Sequence, residues 1–480
     1  MFFGREDVID RFNALLRKRV ASLVTCRGRR RIGKSTLVEV FAKRAGCRFI
    51  KIEGRRPAKG LSNADELASF AKQLADQTSA EATPPPANWP DAFRRLDSQI
   101  GGRGWTVVLL DEVSWMAYYD KSFASDLKIA WDNLFKKHDR LVLVVCGSVS
   151  SWIRDNIIDN GAFLGRRSLD VIVKELPLCD CVKFWGKTAS RIDEREIIDV
   201  LSVTGGVPRY LEEIDPALSA AENIRRLCFL PNSILRTDFD EMFNDVITQE
   251  PDFSAKVLRC LADGAKTGAE ISKDLCLEKG GRVSAALGRL EEAGFVSSDA
   301  SVNPETGKPA REVRYRLRDN YARFYVKYIE PAKKMIDSGA FEITGLDALE
   351  GIESVMGLAF ENLVVNSCRE LIPLLNLKGS LITSAAPYRR GGTAGPRGRK
   401  GCQIDLLVQT RRTVCVVEIK RRREIDRDVI REVDEKVRAI ARPPGVSARA
   451  ALVYSGHLSP VVAADGYFDA IVPFRKLLGL

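Results

Sequence analysis

The first half of the chain alternates short, almost wholly apolar runs with longer segments in which apolar residues recur every three or four positions. Short apolar runs are typical of strands buried in a parallel sheet, and the longer spacing is typical of amphipathic helices. Strands are predicted at residues 21–25, 49–53, 105–112, 141–148 and 169–173. Helices are predicted at residues 8–19, 36–44, 65–78 and 91–100, with a loop at the proline-rich residues 84–90. The alternation indicates an α/β fold.

The second half mixes the same patterns in another order. Helical spacing covers residues 179–229 and predicts a small helical lid. Three short amphipathic helices (253–262, 267–275 and 281–293) then precede a hairpin, which is typical of a winged helix-turn-helix. An aromatic-rich helix at 321–336 and a helix at 351–370 lead to strands at 402–408, 413–420, 450–454 and 468–474. We therefore expect four segments: an α/β core at 1–175, the lid at 176–245, the winged helix at 246–338 and a further α/β domain at 339–480.

One loop carries a specific chemical signature. Gly28, Gly33, Lys34 and Ser35 satisfy the G-x-x-x-x-G-K-[ST] pattern between a predicted strand and a predicted helix. Glycine lets backbone N–H groups turn toward phosphate oxygens, and the start of the helix adds a positive dipole end. Lys34 is expected to reach the β- and γ-phosphates of ATP, and Ser35 to hold Mg²⁺ through its hydroxyl. Arg31 and Thr36 complete the predicted nucleotide-binding set: Gly28, Arg31, Gly33, Lys34, Ser35 and Thr36.

Two acidic residues end the apolar run at 105–112. Asp111 is expected to bind the same Mg²⁺, directly or through water, and Glu112 to orient and deprotonate the attacking water. Ser148 ends the next strand, where it either senses the γ-phosphate or caps the following helix. Arg166 and Arg167 precede the fifth strand and are candidates for an arginine finger on the nucleotide of their own or a neighbouring subunit, or are surface residues.

Composition limits the kinds of binding partner and metal site that the chain can have. The net charge of +11 favours a polyanion, which we take to be nucleic acid, DNA first. The chain has only 2 histidines, and its 11 cysteines show no zinc-ligand spacing, so a metal here must be held by carboxylates. No apolar run approaches the ~20 residues that cross a bilayer, and the N-terminal residues lack the form of a signal peptide. We expect a soluble, cytoplasmic protein without a membrane partner.

A second chemical signature lies in the last segment. Asp405 precedes Glu418 and Lys420, which stand two apart on a predicted strand and so share a face. Asp405, on the paired strand, is expected beside them, where two carboxylates hold Mg²⁺ or Mn²⁺ against a phosphodiester and the lysine positions water. Without a metal, two unpaired buried carboxylates would repel. The alternative is an amphipathic hairpin with solvated charges.

Basic residues flank this signature. The glycine-rich stretch 388–401 is predicted to be a mobile basic loop that contacts phosphates. Arg282 and Arg289 lie two turns apart on the third short helix, which in a winged helix would enter a major groove.

The motifs together resemble a known family. Phe-x-Gly-Arg-Glu near the start is followed by Gly-Arg-Arg-Arg-Ile-Gly-Lys-Ser, Leu-Leu-Asp-Glu-Val, Cys-Gly-Ser, Leu-x-Gly-Arg-Arg and Gly-Gly-Val-Pro-x-Tyr. This order resembles the archaeal-type ATPases of the AAA+ class, a P-loop NTPase fold. The resemblance implies a winged helix and a nuclease-like domain behind the ATPase. The D…E-x-K pattern resembles the restriction-endonuclease-like, or PD-(D/E)xK, fold, and Glu361 resembles the acid that completes the metal site of such nucleases, with Asp405 and Glu418.

The sequence therefore predicts an ATPase that binds nucleic acid and cleaves DNA at a metal-dependent site gated by ATP. Two alternatives stay open. One is an ATP-gated DNA-binding regulator whose nuclease-like domain is inert, and the other is an assembly switch in which the ATPase drives formation of a homo-oligomer.

Overall fold

The computed structural model describes residues 2–78, 84–148, 150–247, 249–278, 281–310, 312–341, 348–377, 379–391 and 401–480. The chain divides into two compact units, Met1–Leu176 (unit 1) and Pro177–Leu480 (unit 2). Among the described residues, no helix is both long enough and apolar enough to cross a membrane.

Unit 1 is built on a five-stranded parallel sheet. Its strands are β1 (Ser22–Arg27), β2 (Arg48–Glu53), β3 (Thr106–Asp111), β4 (Leu141–Gly147) and β5 (Arg167–Ile172). They lie in the order β2-β3-β4-β1-β5. The three central strands are almost wholly buried. The predicted parallel α/β fold of this half is confirmed.

Helices cover the sheet of unit 1: α1 (Glu6–Lys18), α2 (Lys34–Arg44), α3 (Asn63–Gln77), α4 (Trp89–Ser98), α5 (Val113–Met116), α6 (Phe123–Asn133) and α7 (Ser150–Ile153). The predicted loop at residues 84–90 is too long, because Trp89 and Pro90 already belong to α4. The Asn88 side chain accepts the N–H of Asp91, and a proline fits the first helical turn, where its missing N–H costs no bond. Phe70, Trp89 and Phe93 then pack edge to face or tilted in the core.

Unit 2 begins with helices α8 (Leu178–Cys181), α9 (Glu194–Thr204), α10 (Pro208–Leu211), α11 (Ala220–Cys228) and α12 (Ile234–Val246). Helices α13 (Pro251–Cys260), α14 (Gly268–Asp274) and α15 (Gly281–Glu292) follow, with strands β6 (Lys266–Thr267), β7 (Val296–Asp299) and β8 (Arg314–Leu317). These strands form an antiparallel sheet in the order β6-β8-β7. Thr267 and Glu270 form a capping box that fixes the start of α14.

The last part of unit 2 contains a mixed sheet. Its helices are α16 (Asn320–Phe324), α17 (Glu330–Asp337), α18 (Ile352–Asn366), α19 (Cys368–Leu371), α20 (Asp428–Ala439), α21 (Pro460–Asp465) and α22 (Arg475–Leu478). Its strands are β9 (Ile382–Arg390), β10 (Cys402–Thr410), β11 (Thr413–Ile425), β12 (Ser447–Leu458) and β13 (Ala470–Pro473), in the order β13-β12-β11-β10-β9. Strand β10 is antiparallel to both of its neighbours, β9 and β11, and β11, β12 and β13 are parallel.

Strand β9 corrects one expectation. Tyr388–Arg390 were predicted to start a loop, but they form the end of β9. This strand lies at the edge of the sheet, where Pro387 removes no bond from the ladder, so a proline does not prevent strand formation there. The rest of the predicted basic loop, residues 392–400, lies outside the described residues.

Candidate functional site

The loop between β1 and α2 is shaped by its glycines. Gly28 has φ 151°, and a Cβ there would lie 2.3 Å from the carbonyl oxygen of Val173. Gly33, with φ 83°, precedes the first residue of α2. The side chain of Lys34 is almost buried, and its Nζ donates to the carbonyl oxygens of Gly28 (3.1 Å) and Arg29 (3.0 Å). The ammonium therefore lies within the curl of the loop, where phosphate oxygens would replace these carbonyls.

A residue near the N-terminus braces this loop. Arg5 is buried, and its Nη2 donates to the carbonyl oxygens of Ile32 (2.9 Å) and Lys174 (2.8 Å). It thereby ties the phosphate loop to the chain that leaves β5. The Phe-x-Gly-Arg-Glu motif, whose arginine carried no role in the sequence analysis, has this bracing function.

The hydroxyl and the carboxylate expected to hold Mg²⁺ lie together. Ser35 Oγ donates to Asp111 Oδ2 at 2.5 Å, although β4 separates β1 from β3 in the sheet. Lys51 Nζ approaches the same carboxylate oxygen at 3.3 Å and Glu53 Oε2 at 2.9 Å. Burial alone would lower the pKa of Lys51, but Glu53 and Asp111 outweigh that effect and raise it. The oxygen donors fit Mg²⁺. Sequence analysis missed Lys51, whose only signal is its place on a strand that ends at the same edge.

Glu112 is held in a fixed orientation. Its backbone is left-handed, at φ 47° and ψ 48°, which is uncommon for a residue with a side chain and is often found at functional sites. Ser148 at the end of β4 donates to Glu112 Oε2 from its Oγ (2.7 Å) and from its backbone N (3.3 Å). Neither predicted role of Ser148 describes this contact, in which the serine orients the carboxylate.

In unit 2, Asp405 and Glu418 meet across the β10–β11 ladder. Leu406 pairs with Val417, so Asp405 and Glu418 are the next residues along the two strands. The β9–β10 pairing shifts register beside Asp405, and such irregularities re-aim a side chain. Asp405 Oδ2 accepts the backbone N–H of Ile419 at 2.8 Å.

Glu418 is paired, contrary to the expectation from sequence. Its side chain is 1% exposed, yet Lys420 Nζ lies 2.8 Å from Oε1 and Lys436 Nζ lies 2.5 Å from Oε2. Lys420 also contacts Glu432 Oε2 at 2.8 Å. Sequence analysis missed Lys436. The available signal was its spacing of four from Glu432, which puts both residues on one face of α20.

Glu361, on α18, completes an acidic cluster with Asp405 and Glu418. Burial and the neighbouring charge of Asp405 raise the pKa of Glu361 to about 7. Burial and the charge of Glu418 raise the pKa of Asp405 to about 6. In the described parts of the chain, however, no three acidic, histidine or cysteine side chains are grouped closely enough to hold a metal ion. The predicted ligands Glu361, Asp405 and Glu418 are neighbours, but their carboxylates are not arranged as a coordination shell.

The acidic cluster borders a cavity of 880 Å³. Glu361 and Asp405 line it, and β6, α14, β8 and the end of β9 supply basic residues to its wall: Lys266, Lys273, Arg314, Arg316, Arg389 and Arg390.

Helix α9 contacts the strand that carries Glu418 and Lys420. Arg421, next to Lys420, donates from Nη2 to Asp199 Oδ1 at 2.6 Å and from Nη1 to Glu353 Oε2 at 2.9 Å. On the next strand, Ser455 Oγ donates to Glu194 Oε1 at 2.9 Å.

Known proteins share part of this arrangement. A family described as the ATPase domain predominantly from Archaea matches residues 2–214. The geometry of Lys34, Ser35, Asp111 and Glu112 falls inside that match. Residues 2–214 are an archaeal-type ATPase domain.

Similarity to known proteins extends beyond residue 214 of this chain. An uncharacterized protein of Methanocaldococcus jannaschii, MJECL04, is 23% identical over 435 residues, which is 89% of each chain. The structure of the Walker-type ATPase PABY2304 of Pyrococcus abyssi is 16% identical, with a TM-score of 0.51 over 68% of this chain and 96% of that one. The ORC2 protein of Aeropyrum pernix, in its ADPNP–ADP complexes, is 13% identical, with a TM-score of 0.42 over 70% of this chain and 93% of that one. The similarity to PABY2304 shows a shared fold.

Two predicted residues of the ATPase domain are not brought to the nucleotide site. Arg167 pairs with Leu23 at the start of the parallel strands β5 and β1, whereas the phosphate loop follows the opposite end of β1. Arg166 is bound by both oxygens of Asp132, at 2.8 and 3.0 Å, and this pairing lowers the pKa of Asp132 to about 2. An arginine finger acting within the same subunit does not fit this placement. A finger acting on a neighbouring subunit stays a prediction.

Of the remaining predicted nucleotide-binding residues, Arg31 lies in the loop and Thr36 in the helix that follows it. Arg31 adopts a left-handed backbone, with φ 64°, in the curl between the two glycines. Thr36 lies in the first turn of α2. Their contact with a nucleotide stays a prediction.

Removing the Ser148 hydroxyl tests the orientation of Glu112. In Ser148→Ala the carboxylate keeps only the longer bond from the backbone N–H. A hydrogen bond to a charged group contributes about 1.5–3 kcal/mol, so we expect ATP turnover to fall roughly 10- to 100-fold while ATP affinity stays unchanged. Steady-state phosphate release and equilibrium ATP binding measure the two effects. Equal losses of affinity and turnover would contradict the orienting role.

Proposed function

We propose that this protein hydrolyses ATP in unit 1 and cleaves nucleic acid in unit 2. For ATP, the carrying observation is that Lys34, Ser35, Asp111 and Glu112 meet at the carboxyl ends of parallel strands, the edge at which such sheets bind ligands. Lys34 stabilises the phosphates, and Glu112, oriented by Ser148, takes the proton of the attacking water. Ser35 and Asp111 would hold Mg²⁺, which supplies charge neutralisation at the phosphates.

For nucleic acid, the carrying observation is the cluster of Glu361, Asp405 and Glu418 beside Lys420, at the wall of a cavity with basic residues. The donors are all oxygens, which suit Mg²⁺ or Mn²⁺. A bound divalent cation supplies an activated water and neutralises phosphate charge. Lys420 positions the water, and the carboxylates hold the cation.

The two lysines on Glu418 define what must change for a metal to bind. Both carboxylate oxygens accept from ammonium groups, so a cation competes with Lys420 and Lys436 for them. We infer that Lys436 withdraws on metal binding, because its long side chain leaves α20 and is partly exposed. Lys420 retains Glu432 as a partner and stays at the site.

The domain assignment of unit 2 is part of the proposal. We take residues 176–245 as a lid, 246–338 as a winged helix-turn-helix and 339–480 as a PD-(D/E)xK domain, behind an ATPase core at 1–175. On the third short helix, Arg282 and Arg289 both bind Glu250, at 2.8 and 3.2 Å, so one carboxylate offsets part of their charge. Arg282 also lies 4.0 Å from the ring centroid of Phe253. The cavity beside Glu361 and Asp405, which is lined by basic as well as acidic residues, is a second candidate for contact with phosphates.

The decisive assay uses plasmid and linear DNA with the purified protein, with and without ATP and with Mg²⁺, Mn²⁺ or EDTA. We expect cleavage that requires the divalent ion and that depends on Glu418. Cleavage that persists in EDTA would overturn the assignment.

The second candidate function is the inert regulator. The pairing of Glu418 with two lysines favours this function. Both carboxylate oxygens are occupied by ammonium groups, as expected for a nuclease-like fold that binds DNA without cleaving it. ATP-dependent DNA binding without any metal-dependent cleavage would establish that function. A change of molar mass with ATP in light scattering would indicate the assembly switch.

Coupling between ATP and cleavage is proposed to run through α9. This helix lies inside the family match of the ATPase domain, and its Asp199 binds Arg421, the neighbour of Lys420 in sequence. A shift of α9 during the ATP cycle would therefore pull on β11 at the proposed site.

Breaking this contact tests the coupling. In Asp199→Asn the charge that binds Arg421 is lost, and we expect the ratio of cleavage rates with and without ATP to approach one, with ATP turnover retained. The matched control is Glu353→Gln, which removes the other carboxylate on Arg421. Glu353 is 85% exposed, and exposed pairs contribute little. An unchanged ATP response in Asp199→Asn, or equal loss in both variants, would contradict coupling through α9.

A further inference from the structure

Two cavities of unit 2 border the same carboxylate. The cavity of 880 Å³ and a second one of 1000 Å³ are both lined by Arg390, Gln403 and Asp405. The second also contains Lys436 and Arg438 of α20. Space for a ligand is therefore present on both sides of Asp405, with basic residues on each side.

Some cations of the first cavity are neutralised within unit 2. Three are ion paired: Lys266 with Asp274 (2.6 Å), Arg314 with Glu270 (2.8 Å) and Arg316 with Asp299 (3.1 Å). Two others, Lys273 and Arg389, are exposed and have no ion-pair partner among the residues that the structure describes. These two are the charges that a bound anion would meet.

A third cation lies deeper in the wall. Arg323 is 1% exposed, and its Nη atoms donate to the backbone carbonyls of Ala262 and Leu317, while its Nε has no acceptor. Carbonyl oxygens carry no net charge, so the guanidinium is not neutralised by an ion pair. It faces the same cavity as Glu361, whose charge acts on it. The wall thus holds a buried positive charge next to the acidic cluster.

The size of the first cavity limits what enters it. A volume of 880 Å³ lies within the range of about 300–1,000 Å³ that encloses one drug-sized ligand. That space admits a few nucleotides of one strand. A duplex, with its two paired backbones, is too large for a space of this volume.

We propose that the substrate of this site is single-stranded DNA, a few nucleotides of which enter the cavity and pass Asp405 toward the second one. Lys273 and Arg389 contact phosphates of the entering strand, and the phosphodiester beside Asp405 and Glu361 is the one presented for cleavage. This inference rests on the proposed nuclease function for its last step, whereas the binding of a single strand does not depend on it.

Binding is tested with a fluorescent oligothymidylate of about 12 nucleotides, a length within the site sizes of single-strand binding proteins. Anisotropy is measured in Ca²⁺ over a range of salt concentrations, and a denaturing gel verifies that the oligonucleotide stays intact. For Lys273→Ala/Arg389→Ala we expect the slope of log affinity against log salt to flatten by about 1.4, since each phosphate contact on a single strand contributes about 0.7. The control Lys256→Ala/Arg369→Ala removes the same charge from exposed positions outside the cavity and should leave the slope unchanged. Equal slopes in the two variants would overturn the proposal.

A cleavage assay distinguishes a failure of the single-strand inference from a failure of the proposed nuclease function. The substrates are a single-stranded circle and a relaxed, covalently closed duplex circle of the same sequence, and Glu418→Gln is the reference for metal-dependent cleavage. We expect the single-stranded circle alone to be cut. Equal Glu418-dependent cutting of both circles would overturn the single-strand inference and support the nuclease function. If neither circle is cut, the nuclease function fails, and the salt slopes alone decide whether the cavity binds a single strand.

Discussion

A Lys34→Ala variant is expected to lose at least about a hundredfold in ATP turnover, the loss typical of removing one preorganised group from developing charge. Lys34 is 5% exposed, and its ammonium is held by two carbonyls of the loop, so its charge is positioned before the nucleotide binds. The alanine leaves those carbonyls without their donor, and they would then repel phosphate oxygens. ATP affinity should therefore fall together with turnover.

Two further variants make this prediction specific. Lys43→Ala removes an exposed lysine from the same helix and should leave turnover and affinity unchanged. Glu112→Gln should retain ATP binding and lose turnover, because the amide cannot take a proton from water. Phosphate release and equilibrium binding of ATP measure both quantities. Hydrolysis at the parental rate in Lys34→Ala and Glu112→Gln would remove the ATPase site from unit 1.

The parts of the fold that sequence predicts well are those determined by local pattern. Buried parallel strands need apolar residues on both faces, so β1, β3 and β4 are visible as apolar runs. The phosphate loop is equally visible, because its glycines are needed for backbone angles and for the close approach of Gly28 to Val173. The D…E-x-K spacing likewise places Asp405 and Glu418 side by side. A one-residue slip in the pairing of the two strands would turn the buried side chains to the opposite face, so the register is well determined.

Sequence patterns do not predict the side-chain contacts that depend on tertiary packing. Ser148 contacts a Glu112 whose backbone is left-handed, and no residue pattern specifies that backbone. Lys436 reaches Glu418 from a helix that packs on β11 after the strand ends. The error in placing the arginine finger has the same origin. Arg166 directly precedes β5 and Arg167 begins it, and only the parallel pairing with β1 shows that they lie at the end opposite the phosphate loop.

The pairing of Glu418 also reverses one expected consequence of its substitution. From sequence, Glu418→Gln would relieve repulsion between two carboxylates and stabilise the metal-free protein. In the structure, Lys420 and Lys436 neutralise Glu418, so the amide leaves two ammonium groups with weaker acceptors. Removing one partner of a buried pair costs about 3–5 kcal/mol. Here we expect a smaller cost of about 2 kcal/mol, because both lysines are partly exposed and Lys420 keeps Glu432.

Glu418→Gln is therefore expected to lower the midpoint of thermal unfolding by a few degrees and to abolish metal-dependent cleavage, a loss of at least about a hundredfold. Calorimetry and a strand-cleavage assay in Mn²⁺ measure the two effects. ATP turnover should persist, since Glu418 belongs to unit 2 and the nucleotide site to unit 1. Glu424→Gln, which changes an exposed residue of β11, is the matched control and should change neither quantity.

A second substitution separates the loss of stability from the loss of activity. In Glu418→Gln/Lys436→Met, one of the two ammonium groups left by the first change is replaced by an apolar side chain of similar length. Replacing a whole buried pair by neutral groups is often neutral or stabilising, so the double variant should regain the parental midpoint of unfolding. Cleavage should stay absent, because no carboxylate is restored for the metal. If cleavage returned together with stability, Glu418 would act only by holding the fold, and the metal site would have to be sought in other residues.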